Sequence, residues 1–203
     1  SHEWQFDWWR FHGYEMCVIL VAHLLRERKL SLIGELLREG FIQRRWAETR
    51  ASSQADFGDL SDYVRGIYTW NEQLKAAREQ SWISPQGEVF NRRYAATSPT
   101  LPSWEEFCEA DLFLGLFGAP EKDTNGYERW LNQTHIYSPA MPRFILEARR
   151  LAYAEQLRGV FGASDIPQLI ASLKERWTAL NQKWRSYSRI RSIPTQALDA
   201  IGT

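Results

Sequence analysis

Residues 103–120, SWEEFCEADLFLGLFGAP, carry the strongest local signal in the chain. Ser103 and Glu106 stand at the spacing of a capping box, in which hydroxyl and carboxylate satisfy each other's orphan backbone N–H groups at a helix start. Gly118 and then Pro120 mark the stop, because glycine ends a helix readily and proline cannot continue one. The first half of the segment is acidic, with Glu105, Glu106, Glu109 and Asp111, and the second half is apolar. The same helical rhythm recurs from end to end, and no stretch alternates as a half-buried strand does. The sequence therefore predicts an all-α fold of about seven helices, αα-hairpins packed as an irregular bundle with a long C-terminal helix.

Upstream, a first helix is expected from Trp8 to Arg28, capped by Asp7, with Phe11, Tyr14, Val18, Val21 and Leu25 along one face. Its middle is apolar nearly all round, which marks it as central. Ser31 caps a second helix that turns Leu32, Ile33, Leu36 and Leu37 inward and stops at Gly40, and residues 48–58 read as a polar loop. A third helix is expected from Leu60 to Glu79, with Leu60, Val64, Ile67, Trp70 and Leu74 as its buried stripe. Residues 81–102, punctuated by SPQG and SPTLP, read as a long irregular connection, the place for a binding loop or a sub-boundary.

Downstream, a short helix is expected from Tyr127 to His135. Another starts at Pro142, carries Phe144, Ile145, Ala148, Leu151 and Ala152 inward, and ends near Gly159. In the last helix Ile166, Ile170, Leu173, Trp177, Leu180, Trp184 and Tyr187 follow alternating steps of four and three, a seam of ~35 Å at about 1.5 Å per residue. Packing of that seam on its own domain is the commoner outcome for an amphipathic helix.

The chain of 203 residues, 44% hydrophobic and 25% charged, is large enough for one domain over 1–203 with a substantial core. Its 25 basic and 25 acidic residues balance, so no global field draws it to nucleic acid or to a membrane. The basic residues are 20 Arg against 5 Lys, and there are 10 Trp. Both types serve broad, partly buried contacts. The longest strongly apolar run, MCVILVAHLL at 16–25, is half of a membrane span and contains His23. Cys17 and Cys108 lie among apolar neighbours and read as small buried hydrophobes in a reducing, cytoplasmic setting. The histidines show no ligand spacing, so neither metal nor other cofactor is expected. Ser1-His2 reads as a tag remnant, which makes an excised piece of a longer protein the expectation.

Two stretches invite chemistry. RWLNQTH at 129–135 places Arg129 and His135 at the Arg-x(4–6)-His spacing of HEPN-fold ribonucleases, which it resembles. That resemblance implies a histidine acid or base beside an arginine that steadies phosphate charge. Trp130 follows the arginine where that motif usually has a polar residue. KERWTALNQKWRSYSRIR at 174–191 interleaves Lys174, Arg176, Lys183, Arg185, Arg189 and Arg191 with aromatics, a pattern that can serve nucleic acid but that is met more simply by the helix dipole and an internal docking against the acidic start of the 103–118 helix.

YEMCVILVAHLLRERKLSLIGELLREGF at 14–41, EADLFLGLF at 109–117, Trp130, the aromatic-proline stretch 137–144 and LRGVFGASDIPQLI at 157–170 are together similar in layout to the helical region that follows TIR-like or SEFIR-like domains in bacterial proteins. The resemblance implies an accessory region that senses, binds a protein partner or forms a homo-oligomer while another module carries the activity. The expected contact surface is the 81–102 stretch with Trp82 and Tyr94, together with Arg176, Lys183, Arg185, Arg189 and Arg191 on the last helix. The expected function is thus recognition or assembly without catalysis. The alternatives are the ribonuclease using Arg129 and His135, and nucleic-acid binding by the basic segment.

Overall fold

The structure is a computed structural model that describes residues 3–39, 41–43, 53–55, 57–61, 64–77, 82–95, 100–119, 130, 132–137, 141–184 and 195–203. Over these residues the chain is all-α. α1 (Glu3–Arg26) starts earlier than expected, because nothing between Glu3 and Asp7 breaks a helix; Asp7 lies inside it and is not its cap. Arg28 takes the left-handed φ of 56° that reverses the chain into α2 (Leu30–Arg38). α2 begins one residue before Ser31, which caps nothing, and buries Leu30, Ile33 and Leu37 while Leu32 points outward.

A small antiparallel ladder follows, β1 (Phe41–Gln43) on β2 (Ser53–Ala55), with Ile42 opposite Gln54. It falls partly in the expected 48–58 loop and is the one strand pairing among the described residues. The expected Leu60–Glu79 helix divides into a 3₁₀ turn, Phe57–Ser61, and α3 (Arg65–Ala76). Trp70 is exposed on α3, and Asn71 takes the buried position.

The larger correction comes next. The supposedly irregular stretch contains α4 (Pro85–Tyr94). SPQG opens this helix: the Ser84 hydroxyl accepts the Gly87 N–H at 3.2 Å, and Pro85 sits in the first turn, where a missing N–H costs nothing. α5 (Trp104–Gly118) carries the capping box as expected, with Ser103 N–H donating to Glu106 at 2.8 Å and Glu106 N–H to Ser103 Oγ at 3.2 Å.

The helix expected over Tyr127–His135 is absent at its described positions. Residues 130, 133 and 134 are bends, Asn132 is irregular, and His135–Tyr137 is a 3₁₀ turn. The cause is capture of the N–H groups a helix would need: Thr134 N–H goes to Asn132 Oδ1 at 3.0 Å and to Asp111 at 2.8 Å, and Gln133 N–H to Asp111 at 3.0 Å. Residues 127–129 and 131 lie outside the described residues.

The helix expected from Pro142 divides into α6 (Arg143–Glu147) and α7 (Leu151–Phe161). Gly202 N–H takes the Ala148 carbonyl at 2.9 Å at this break. α7 runs through Gly159 and stops at Gly162, φ 68°, the left-handed cap that glycine adopts at least cost. α8 (Ile166–Trp184) packs on α5 and α7 and buries Leu169, Leu173, Trp177 and Leu180, with Ile166 and Ile170 only partly covered. It is not the last element, since α9 (Thr195–Leu198) follows, and Tyr187 lies outside the described residues.

α5 fills the centre: every residue from Phe107 to Leu116 is buried, with α1 on one side and α8 on another. The aromatics concentrate where α1, α4 and α5 meet. Phe90 stacks on Phe11 at 4.7 Å, Tyr14 stacks on Trp130 at 4.7 Å, and Phe107 closes on Phe90 at 5.1 Å.

Candidate functional site

The chemistry-bearing residues fall into four places. The first is a closed polar knot beneath α1. Asp111 on α5 is fully buried and accepts five hydrogen bonds: from the Tyr14 hydroxyl, from Trp130 Nε1 at 2.8 Å, from Gln133 N–H, and from the backbone and the hydroxyl of Thr134, both at 2.8 Å. Burial pushes the Asp111 carboxyl up, while the donors from Tyr14, Trp130 and Thr134 pull it down. Tyr14 is raised well above an ordinary phenol by burial and by Asp111, so it keeps its proton and donates it. The knot pins Trp130, Gln133 and Thr134 to the core.

His135 sits at the edge of this knot and is 3% exposed. Its Nε2 faces Asn181 Oδ1 at 3.2 Å, its ring meets Trp177 edge-on, and burial pushes its pKa down to about 4. The imidazole is thus neutral at pH 7 and covered by α8. Arg129 lies outside the described residues.

The second place is a cleft of about 20 Å³ among α1, α5, α6 and α7, where Glu109, Glu106, Glu147, Arg26 and Arg143 meet. Glu109 accepts the Phe144 N–H at 2.7 Å at the start of α6, and burial pushes its carboxyl up to about 7 against the pull of that N–H and of Arg143. Glu147 pairs with Arg28 and Arg143, which hold its carboxyl below the usual range despite partial burial.

The third place holds the contact residues expected from sequence. Trp82 is half-buried. Asn71 clasps its backbone on both sides, N–H at 2.7 Å and C=O at 3.0 Å, while Trp70 lies 4.8 Å away and the Arg92 guanidinium 4.9 Å from its ring. Tyr94 is buried and donates to Glu15 at 3.1 Å. Arg176 turns inward: it donates to the Leu116 and Phe117 carbonyls at 3.1 and 2.6 Å and lies 5.2 Å over Phe161. It thereby serves the C-terminal end of α5, where the dipole and open carbonyls favour a cation. Of the cations expected to pair with the acidic start of α5, Arg176 makes that contact at the helix's other end and Lys174 reaches Asp199. The Lys183 side chain and all of Arg185, Arg189 and Arg191 lie outside the described residues.

The fourth place is the one sequence reasoning missed. On α1, Trp9 is 74%, Met16 62% and Leu20 44% exposed, and helical spacing puts them opposite Phe11, Tyr14, Val18 and Val21. Trp8 is also exposed beside them. At the edge of this face His12 points Nδ1 at the Glu15 carboxylate, 3.5 Å away, and Arg93 of α4 binds the same buried carboxylate at 3.0 Å. The signal was present in the sequence: a helix apolar nearly all round has more apolar surface than one core-facing stripe requires.

Among the described residues no group of three or more His, Cys, Asp or Glu could hold a metal ion, and no helix is long and apolar enough to cross a membrane. The chain matches no protein family, no curated protein and no solved structure with which it was compared.

Proposed function

We propose that this chain is a helical recognition or assembly domain without catalysis of its own, an accessory module of a larger signalling or defence protein that binds a protein partner or a second copy through the outward face of α1. One observation carries the reading. Trp9, Met16 and Leu20 form an exposed apolar row on a helix whose other side is already committed to the core, and contiguous apolar exposure of that kind marks contact surfaces. Tryptophan and methionine are the side chains enriched at such surfaces. The layout shared with helical regions that follow TIR-like or SEFIR-like domains supports the same role.

The polar groups favour this reading over an acid–base one. Asp111, Glu109 and His135 are buried and engaged with neighbouring backbone or side-chain groups. The test is sedimentation over a wide concentration range, together with retention of cellular proteins, for the wild type and for Met16→Asp. Self-association or retention that Met16→Asp loses, with an unchanged melting curve, is the expected result. A monomer that retains nothing the variant does not also retain would sink the proposal.

A further inference from the structure

We infer that the corner where α2 and α7 begin is a second docking surface, one that takes an acidic segment of a protein partner carrying an apolar side chain among its carboxylates. α2 packs on α7, and Arg38 at the end of α2 donates to the Gly159 and Val160 carbonyls at the end of α7, so the two helices run in the same direction. Their starts therefore lie side by side, where Arg28 pairs with Glu147 at 2.7 Å. Lys29 follows Arg28. Arg149 and Arg150 follow Glu147 through a tight turn in which Arg150 N–H reaches the Glu147 carbonyl at 3.0 Å. All four cations are exposed, and Leu146 and Leu151, which flank the two arginines in the chain, are 43% and 58% exposed.

The positive charge of this corner is not answered within the chain. Among the described residues no carboxylate lies within ion-pair reach of Lys29, Arg149 or Arg150. The acids nearest to them in sequence are engaged elsewhere: Glu147 is shared by Arg28 and Arg143, Glu27 stands 3.6 Å from Arg26, and Glu155 pairs with Arg158. Lys29 and Arg150 also hold the N-cap positions of α2 and α7, where neither side chain caps anything, and neither helix has an acid in its first turn. A cation at the positive end of a helix, in the place where aspartate or serine would stabilise it, works against the fold. Departures from local preference of that kind are expected where a surface serves a partner. Carboxylates of the partner would meet the arginines as forked pairs, and its apolar side chain would cover Leu151. The aromatics of residues 26–32 and 141–155, Phe144 and Tyr153, are both buried, so these segments offer no ring for a nucleic-acid base to stack on and no indole or phenol to anchor at a lipid surface.

The experiment uses the full chain and a short labelled peptide with leucines set among glutamates, read by fluorescence anisotropy. The same peptide with lysine for glutamate, vesicles containing phosphatidylserine and a single-stranded RNA serve as the other probes. The glutamate peptide should bind about tenfold more tightly than the lysine peptide, and the ratio should shrink as salt rises. Arg149→Glu and Leu151→Ser should each weaken its binding several-fold at an unchanged melting temperature. Arg150→Asp should abolish binding while raising the melting temperature, because it supplies the cap that α7 lacks. Equal binding of the two peptides, or binding that none of these variants weakens, overturns the inference. Vesicles or RNA that bind more tightly than the glutamate peptide, and lose that binding in Arg149→Glu, overturn it in favour of a lipid surface or a nucleic acid. Met16→Asp should leave the peptide bound, since the α1 face takes no part; if that variant releases the peptide, the α1 face holds it and the corner does not.

Discussion

Asp111 and Glu109 stand two residues apart on α5, and both bury a carboxylate, yet their surroundings differ in kind. Asp111 gathers five hydrogen bonds, from Tyr14 on α1 and from Trp130, Gln133 and Thr134, with those from Tyr14, Trp130 and Thr134 pulling against the burial that raises its carboxyl. Glu109 has the Phe144 N–H and the nearby Arg143, and its carboxyl rises to about 7. Burial alone therefore does not decide whether an acid holds a fold together. Burial raises both carboxyls, and what separates the two acids is how many donors from other elements each one ties together.

The sharpest way to break this comparison is Asp111→Ala. It leaves the Tyr14 hydroxyl, the Trp130 indole N–H and the Thr134 hydroxyl without their shared acceptor, while Thr134 N–H keeps Asn132 Oδ1 and Gln133 N–H keeps the Tyr14 oxygen, and it should cost on the order of 3–5 kcal/mol. Urea denaturation followed by tryptophan fluorescence would read it, with Trp130 losing its rigid environment. A loss below about 1 kcal/mol would show that the knot follows the fold instead of supporting it.

Glu109→Gln comes second and acts through pH. The folded-state pKa near 7 lies above the ordinary 4.5, so the contribution of Glu109 is fully present below pH 4.5 and is lost as pH rises through 7. Across that window the wild type should lose about 3 kcal/mol relative to the glutamine variant, whose amide oxygen still accepts the Phe144 N–H. Denaturation midpoints at pH 5, 6, 7 and 8 check it: the two curves should diverge steadily up to pH 7 and then run parallel. Parallel curves throughout would place the Glu109 carboxylate in water.

These differences explain what the sequence made legible. The start of α5 is a local fact, a serine and a glutamate three apart, and the structure keeps it; the helix also ends at Gly118 as expected, while Pro120 lies outside the described residues. The fate of each acid on that helix is not local, since the donors to Asp111 come from positions 14, 130, 133 and 134. α4 was hidden for another reason: Ser84 and Pro85 serve loops and helix starts alike, and only the Gly87 N–H reaching Ser84 distinguishes them. The inward rows of α1 and α8 were visible in their periods. The outward row of α1 went unread because apolar residues all round a helix also describe one that is wholly enclosed.

A third, smaller effect belongs to Glu106, the acid of the capping box. Glu106→Ala removes the acceptor for Ser103 N–H while leaving the Ser103 hydroxyl on Glu106 N–H, so about 1 kcal/mol or less should be lost. Thermal melts would resolve that shift, and Ser103→Ala should give a similar one. A much larger loss would mean that Glu106 supports the neighbouring cleft, where Arg26 and Arg143 stand, more than it supports its own helix.

The smallest effect is expected at Glu105, and it tests the idea that the acidic start of α5 is a docking patch for the basic helix. Glu105 is exposed, whereas Arg176 of α8 is occupied with the Leu116 and Phe117 carbonyls at the opposite end of α5. A surface carboxylate of that kind is worth within about 0.5 kcal/mol, with little salt dependence. Glu105→Gln should therefore leave the denaturation midpoint unchanged between low and high salt, while Arg176→Gln, which strips two carbonyls of their donor, should lower it at both. If Glu105→Gln cost more than about 1 kcal/mol and high salt erased the loss, a cation must reach that end of α5, and charge at the helix start would rank with donor placement as a cause of the fold.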